Sequence, residues 1–119
     1  MWRIDPKKGP VYKQIADQVA IKVAKGELNP GDKLPSARDL AKEAIVNPNT
    51  VVSAFAELEE RQLIEKRRGL GAFIRQDADV HQLKMNLLVR YSNEFMQKVE
   101  GLGISVTDAI LQLKNMRNL

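Results

Sequence analysis

At 119 residues the chain has enough length for one hydrophobic core plus a small appendage. Nineteen Lys and Arg set against 15 Asp and Glu leave a formal charge of +4, so where the cations gather matters more than their sum. The absence of cysteine removes disulfides, thiolate metal sites and cysteine nucleophiles. No apolar run reaches membrane-spanning length, and the opening Met1-Trp2-Arg3-Ile4-Asp5 lacks a secretory stretch, so a cytoplasmic location without a membrane partner is expected.

Residues Pro10 to Lys25 read as a first helix. A Gly-Pro pair opens it, Gly26 follows it, and Tyr12, Ile15, Val19 and Val23 recur on one side, leaving Lys13, Asp17 and Lys25 for water. Asn29-Pro30-Gly31-Asp32 is a turn, and Lys33-Leu34 leaves room for only a very short strand. Ser36-Ala37-Arg38-Asp39 has the spacing of a capping box and starts a second helix running to about Ala44. After Ile45-Val46, Asn47 is suited to the N-cap and Pro48 to the first helical position of a third helix ending at Glu59 or Arg61.

Two helices parted by about three residues form a helix-turn-helix candidate. At about 100° per residue, Val51, Ala54, Phe55 and Leu58 make the buried stripe of the third helix. Asn49, Ser53 and Ala56 point away from it, with Thr50 at the flank. That outward face is small and polar near its start, which suits a helix whose first turns enter a major groove. Leu63-Ile64-Glu65-Lys66 and Ala72-Phe73-Ile74-Arg75 are β-prone runs joined by a turn over Arg67-Arg68-Gly69-Leu70-Gly71. They form a wing whose tip gathers Lys66, Arg67 and Arg68, as contact with phosphates or a minor groove requires.

From about Asp79 to Glu100 the period is helical again. Val80, Leu83, Leu87, Tyr91 and Phe95 lie along one side, while Met85, Val89 and Met96 make the other side apolar too. So small a chain cannot cover such a helix all round, and a partner chain is its natural cover. Gly101-Leu102-Gly103 ends it, and Ser105-Val106-Thr107-Asp108 is a second capping box opening a last helix with Ala109, Ile110, Leu113 and Met116 inward. The expected fold is mainly α with a small β-wing. It divides into a winged helix-turn-helix over residues 1–76 and a C-terminal two-helix dimerisation tail over 77–119. There is no internal repeat and no room for a separate ligand domain.

Leu34-Pro35-Ser36-Ala37-Arg38-Asp39-Leu40-Ala41, Val46-Asn47-Pro48-Asn49-Thr50-Val51 and Gly69-Leu70-Gly71-Ala72-Phe73-Ile74 occur in an order that resembles the GntR family of bacterial regulators. The likeness runs from Pro10 to roughly Arg75. The short helical tail resembles the YtrA-like branch, and this implies dimerisation through that tail and control of transporter genes. It further implies that Ser36 and Arg38 contact DNA, that Asn49 and Thr50 lie on the reading helix, and that Gly69 lies in the wing. The chain departs from the family in three places. Pro48 stands where many members carry arginine, Val52 and Ser53 replace a later basic residue, and Ile45 stands where glycine is frequent.

The expected DNA-contacting set is Ser36, Arg38, Asn47, Asn49, Thr50, Ser53, Lys66, Arg67, Arg68 and Gly69. The expected dimer seam is Leu83, Leu87, Leu88, Tyr91, Phe95, Ile110 and Leu113. Each set has a plainer reading. Ser36 caps a helix in any protein, the wing cations protect an edge strand from aggregation, Gly69 and Gly71 serve the turn, and the tail's apolar residues pack. His81, the one histidine, is a surface residue, and no catalytic, metal or cofactor-binding constellation is present. The leading function is a homodimeric repressor acting on a pseudo-palindromic double-stranded operator by blocking polymerase. The rival is a winged-helix module that binds protein and has no operator. A third reading, outweighed by simple packing, lodges an unidentified apolar effector among Met85, Val89, Tyr91, Phe95 and Met96.

Overall fold

In the computed structural model, which describes residues 2–118, the chain enters its first helix through a strap held by two glutamines. The Gln18 side chain accepts from the Arg3 amide at 3.0 Å and donates to the Arg3 carbonyl at 2.7 Å. Gln14 does the same for Asp5, at 2.9 and 2.7 Å. These paired bonds satisfy backbone groups that no strand partner serves. A short 3-10 turn, Pro6–Lys8, then leads into α1, Val11–Ala24, with Pro10 at its N-cap.

Ile15, Ala16, Val19, Ala20 and Val23 of α1 are buried as the periodicity requires. Two positions differ from the sequence reading. Tyr12 is only half-buried, because it borders an open hollow shared with Asn49, Thr50 and Ser53 of the third helix. Asp17 does not simply face water: its carboxylate lies 3.0 Å from Arg61, which also meets Glu57 at 3.2 Å. All three side chains remain partly solvated, so the cluster contributes about 1 kcal/mol at most per pair.

The second helix, α2, is Ala37–Ala44, and Ser36 Oγ accepts from the Asp39 amide at 3.1 Å. The third, α3, is Pro48–Glu60. Val51, Ala54, Phe55 and Leu58 are its buried residues, packed with α1 and α2 around Ile15, Val19, Val23 and Leu40. Each such large apolar side chain contributes roughly 1.5–3 kcal/mol through burial. Strands β1, Ile64–Arg67, and β2, Gly71–Ile74, pair antiparallel with Ile64 opposite Ile74 and Arg67 opposite Gly71. The Leu70 amide donates to the Arg67 carbonyl at 2.9 Å, closing a turn in which Gly69 has φ +75°. The open edge of β2 is taken by Gly31–Leu34, through bonds of 2.8 Å from Gly31 to Ile74, Ile74 to Asp32 and Leu34 to Ala72. The short strand expected at Lys33-Leu34 is thus a single bridge, Lys33 to Phe73.

Contacts divide the chain between His81 and Gln82. Helix α4 is Val80–Gly101 and α5 is Val106–Arg117, the latter capped by Ser105 Oγ accepting from the Asp108 amide at 3.2 Å. The expectation that Ile110, Leu113 and Met116 turn inward with Ala109 is corrected here. Ala109 is 5% exposed, but the other three are 47%, 46% and 67% exposed, since a two-helix hairpin can shelter only a narrow seam of each helix.

The helix-turn-helix junction carries local strain. Ile45 ends α2 in the left-handed region, at φ 57° and ψ 56°, with its side chain 90% exposed. A β-branched residue loses about 1–2 kcal/mol in that conformation and recovers nothing from packing here. Glycine removes the clash at a smaller entropic cost. Ile45→Gly is therefore expected to raise stability by about 0.5–1 kcal/mol, seen as a higher urea midpoint at unchanged m-value.

Candidate nucleic-acid interface

Helix α3 shows water three surfaces in succession. Asn49, Ser53 and Ala56 form the outermost line and are exposed, as expected. On one flank, Thr50 joins Asn49 and Ser53 in a shallow hollow completed by Val11 and Tyr12 of α1. On the other flank, Val52 faces an open cleft of about 790 Å³ between the start of α2 and the wing. Ser36, Ala37 and Asp39 line it from α2, and Lys66, Arg67, Arg68 and Gly69 from the wing.

The structure therefore brings Ser36, Lys66, Arg67, Arg68 and Gly69 to one cleft, while Asn49, Thr50 and Ser53 line a separate hollow against α1. Arg38 and Asn47 line neither hollow. Arg38 is exposed in the first turn of α2, and Asn47 precedes α3, where its Oδ1 accepts from the Asn49 amide at 2.8 Å. That bond leaves the Asn47 amide nitrogen as its outward donor.

The cations differ in availability. Lys66 pairs with Glu59 of α3 at 3.2 Å. Arg67 pairs with Glu65 at 2.7 Å while its guanidinium lies 4.4 Å from the centre of the Phe73 ring. Arg75 donates two hydrogen bonds to Asp77, and these hold the Asp77 carboxyl below its ordinary range. Among the described residues, the side chains of Arg38 and Arg68 carry no hydrogen bond or ion pair. Their charges are thus open to an external anion, whereas Lys66 and Arg67 must first release or share a carboxylate. Gly69 has open space where a Cβ would stand, so its requirement is the left-handed backbone and not clearance.

Sequence reasoning singled out neither Tyr12 nor Lys33 for this surface. Tyr12 was absorbed into the apolar stripe of α1, although its place in the first turn signals incomplete cover. Lys33 was read only as part of a strand, yet it lines the same cleft as Arg68.

A helix-turn-helix followed by a cationic β-wing is the architecture of the DNA-binding winged-helix class of transcriptional regulators. Residues 11–74 match the profile of the bacterial regulatory proteins of the gntR family, and the chain belongs to that family. It is similar to the HTH-type transcriptional repressor YtrA of Bacillus subtilis (strain 168), with 48% identity over 79 residues, 66% of this chain and 61% of that protein. It is similar also to the HTH-type transcriptional regulator YhcF of the same organism, with 39% identity over 106 residues, 88% of each chain. A solved GntR family transcriptional regulator from Listeria monocytogenes matches with TM-score 0.82 and 34% identity, covering 90% of this chain and 95% of that one. The YtrA-like assignment holds, and the protein is a regulator and not an enzyme.

The Asn47 cap gives a test independent of any ligand. Asn47→Ala is expected to lose about 1 kcal/mol in chemical denaturation, because an amide of α3 loses its acceptor. Asn47→Asp keeps the acceptor and should stay within about 0.5 kcal/mol of the parent.

Proposed function

We propose that the chain acts in the cytoplasm as a homodimeric repressor on a pseudo-palindromic operator. Each α3 enters a major groove, first turns foremost, and each wing grips the adjoining backbone. The observation that carries this reading is the pairing of an uncharged, small-residue surface over the first turns of α3, Pro48 to Ala56, with two unengaged guanidinium groups, Arg38 and Arg68, set on separate elements beside it. In this reading Arg38 and Arg68 take phosphates, with Arg38 also able to meet a guanine edge, while Ser36, Gly69, Lys66 and Arg67 complete the backbone contacts. Asn47, Asn49, Thr50 and Ser53 approach the base edges or their flanking phosphates. The repressor sign follows that of the similar transcriptional repressor YtrA, and transporter genes are the regulated class that the resemblance implies.

The dimer rests on exposure. Of the fifteen large apolar side chains exposed among the described residues, twelve lie between Met85 and Met116. That density exceeds what scattered surface residues explain and supports the reading of the residue 77–119 tail as the seam. Leu88, Tyr91, Phe95, Ile110 and Leu113, at 40–56% exposure, then gain cover from a second copy. Leu83 and Leu87 are half-buried already and continue that seam. No helix among the described residues is long and apolar enough to cross a membrane.

Selection of bound sites from random duplexes supplies the operator and its half-site spacing. On the recovered duplex, Arg38→Ala is expected to weaken binding by ~1–3 kcal/mol with an unchanged thermal midpoint. Raising salt from about 50 to about 200 mM should weaken the parent roughly a thousandfold or more. A protein-binding module without an operator predicts neither effect. Leu113→Glu should convert the dimer to monomer in sedimentation while the helix-turn-helix stays folded, and operator affinity should fall with it.

A further inference from the structure

Val52 has no role in the contacts described so far, and its position is unusual. It is β-branched, 47% exposed, and lies in the second turn of α3. Its neighbours across the cleft are Ser36 and Ala37 at the start of α2 and Arg68 and Gly69 at the wing tip. From Pro48 to Ala56 no residue of α3 is charged, although 29% of the whole chain is. A single exposed valine is ordinary on a protein surface, but this one lies in an uncharged stretch of the reading helix and lines a cleft whose other wall carries Lys66, Arg67 and Arg68, a cationic rim that favours a polyanion as the occupant.

Resting on the operator reading above, we propose that Val52 is a specificity-determining residue that reads a thymine through its C5 methyl group. The chemistry is particular to that base. In the major groove only thymine presents an apolar group, while the other three show donors and acceptors that a valine cannot satisfy. A cytosine amino group or a purine N7 pressed against the isopropyl group loses its water without a replacement bond. A β-branched side chain in a helix is also held in a single χ1 rotamer, so Val52 meets the methyl without ordering a flexible side chain. Asn49 and Ser53 lie within the same two helical turns and supply the polar contacts around it. Val52 thus shifts recognition at one half-site position from hydrogen bonding to apolar fit.

The test uses the full chain and the duplex recovered by selection. Each thymine in one half-site is replaced in turn by uracil, which preserves pairing and backbone and removes only the methyl group. One position should lose about fourfold in affinity with the parent chain, the worth of one methyl group taken out of water. With Val52→Ala the same replacement should cost less than about twofold, and selection with this variant should relax that position. Because Val52 is half-exposed and alanine favours helix, the variant should retain the parent's circular dichroism. Equal losses in parent and variant, no loss at any thymine, or a half-site without an invariant thymine would each overturn the role of Val52 while leaving operator binding intact. Failure of the chain to retain any duplex overturns the operator reading and this inference together.

Discussion

Everything in the first unit depends on one helix serving two environments at once. Val51, Ala54, Phe55 and Leu58 of α3 are sealed among α1 and α2, while Asn49, Ser53 and Ala56, a half-turn away, are left to water. Burial on one side fixes the rotation of α3 about its axis, because turning it by a single residue would expose Leu58 and bury a polar side chain without a partner. The surface that α3 presents is therefore set by its core. Its direction is set at the other end of the same helix, where the Asn47 cap and Pro48 hold the first turn open to the outside.

The wing is tied into that arrangement rather than appended to it. Ile64 and Ile74 are buried beneath the hairpin, the Gly31–Leu34 segment bonds to its outer edge, and Lys66 reaches Glu59 of α3. A two-stranded hairpin alone is marginal in water, so these attachments keep the tip at a fixed place beside the cleft. The acidic partners of Lys66 and Arg67 have a second consequence. They lower the local positive potential and leave Arg68 as the cation at the tip whose charge is not offset by a neighbour. A basic cluster in sequence is thus graded in space, which a count of charges does not reveal.

The elements that local chemistry dictates were legible in the sequence. Ser36 and Ser105 cap as their capping-box spacing requires, the α3 stripe is buried residue for residue, and Gly69 turns the hairpin. The divergences fall where a residue's fate depends on distant chain. Asp17 meets Arg61 across 44 positions, which no helical period encodes. Tyr12 borders α3 instead of completing a stripe, and Ile110, Leu113 and Met116 follow the helical period yet find no cover within the hairpin. The departure of Ile45 from the glycine frequent in the family was visible as a substitution. What it costs was visible only once the left-handed backbone was seen with a β-branched side chain on it.

That strained residue clarifies how the reading surface is organised. Ile45 holds the turn in the geometry that a glycine would adopt freely, so the sharp passage from α2 to α3 is imposed by the packing on either side of it, through Leu40 and Ala41 before and Val51 after. Strain of this kind persists only where the surroundings over-determine the conformation. The same packing keeps Asn47 at the cap and Val52 and Thr50 on opposite shoulders of α3. With charge absent from α3 between Pro48 and Ala56, long-range attraction must come from the α2 arginine and the wing, and discrimination from small, stiff side chains whose reach is short. Short reach makes discrimination depend on accurate placement, and accurate placement is what a rigid turn and a fully buried helix stripe provide.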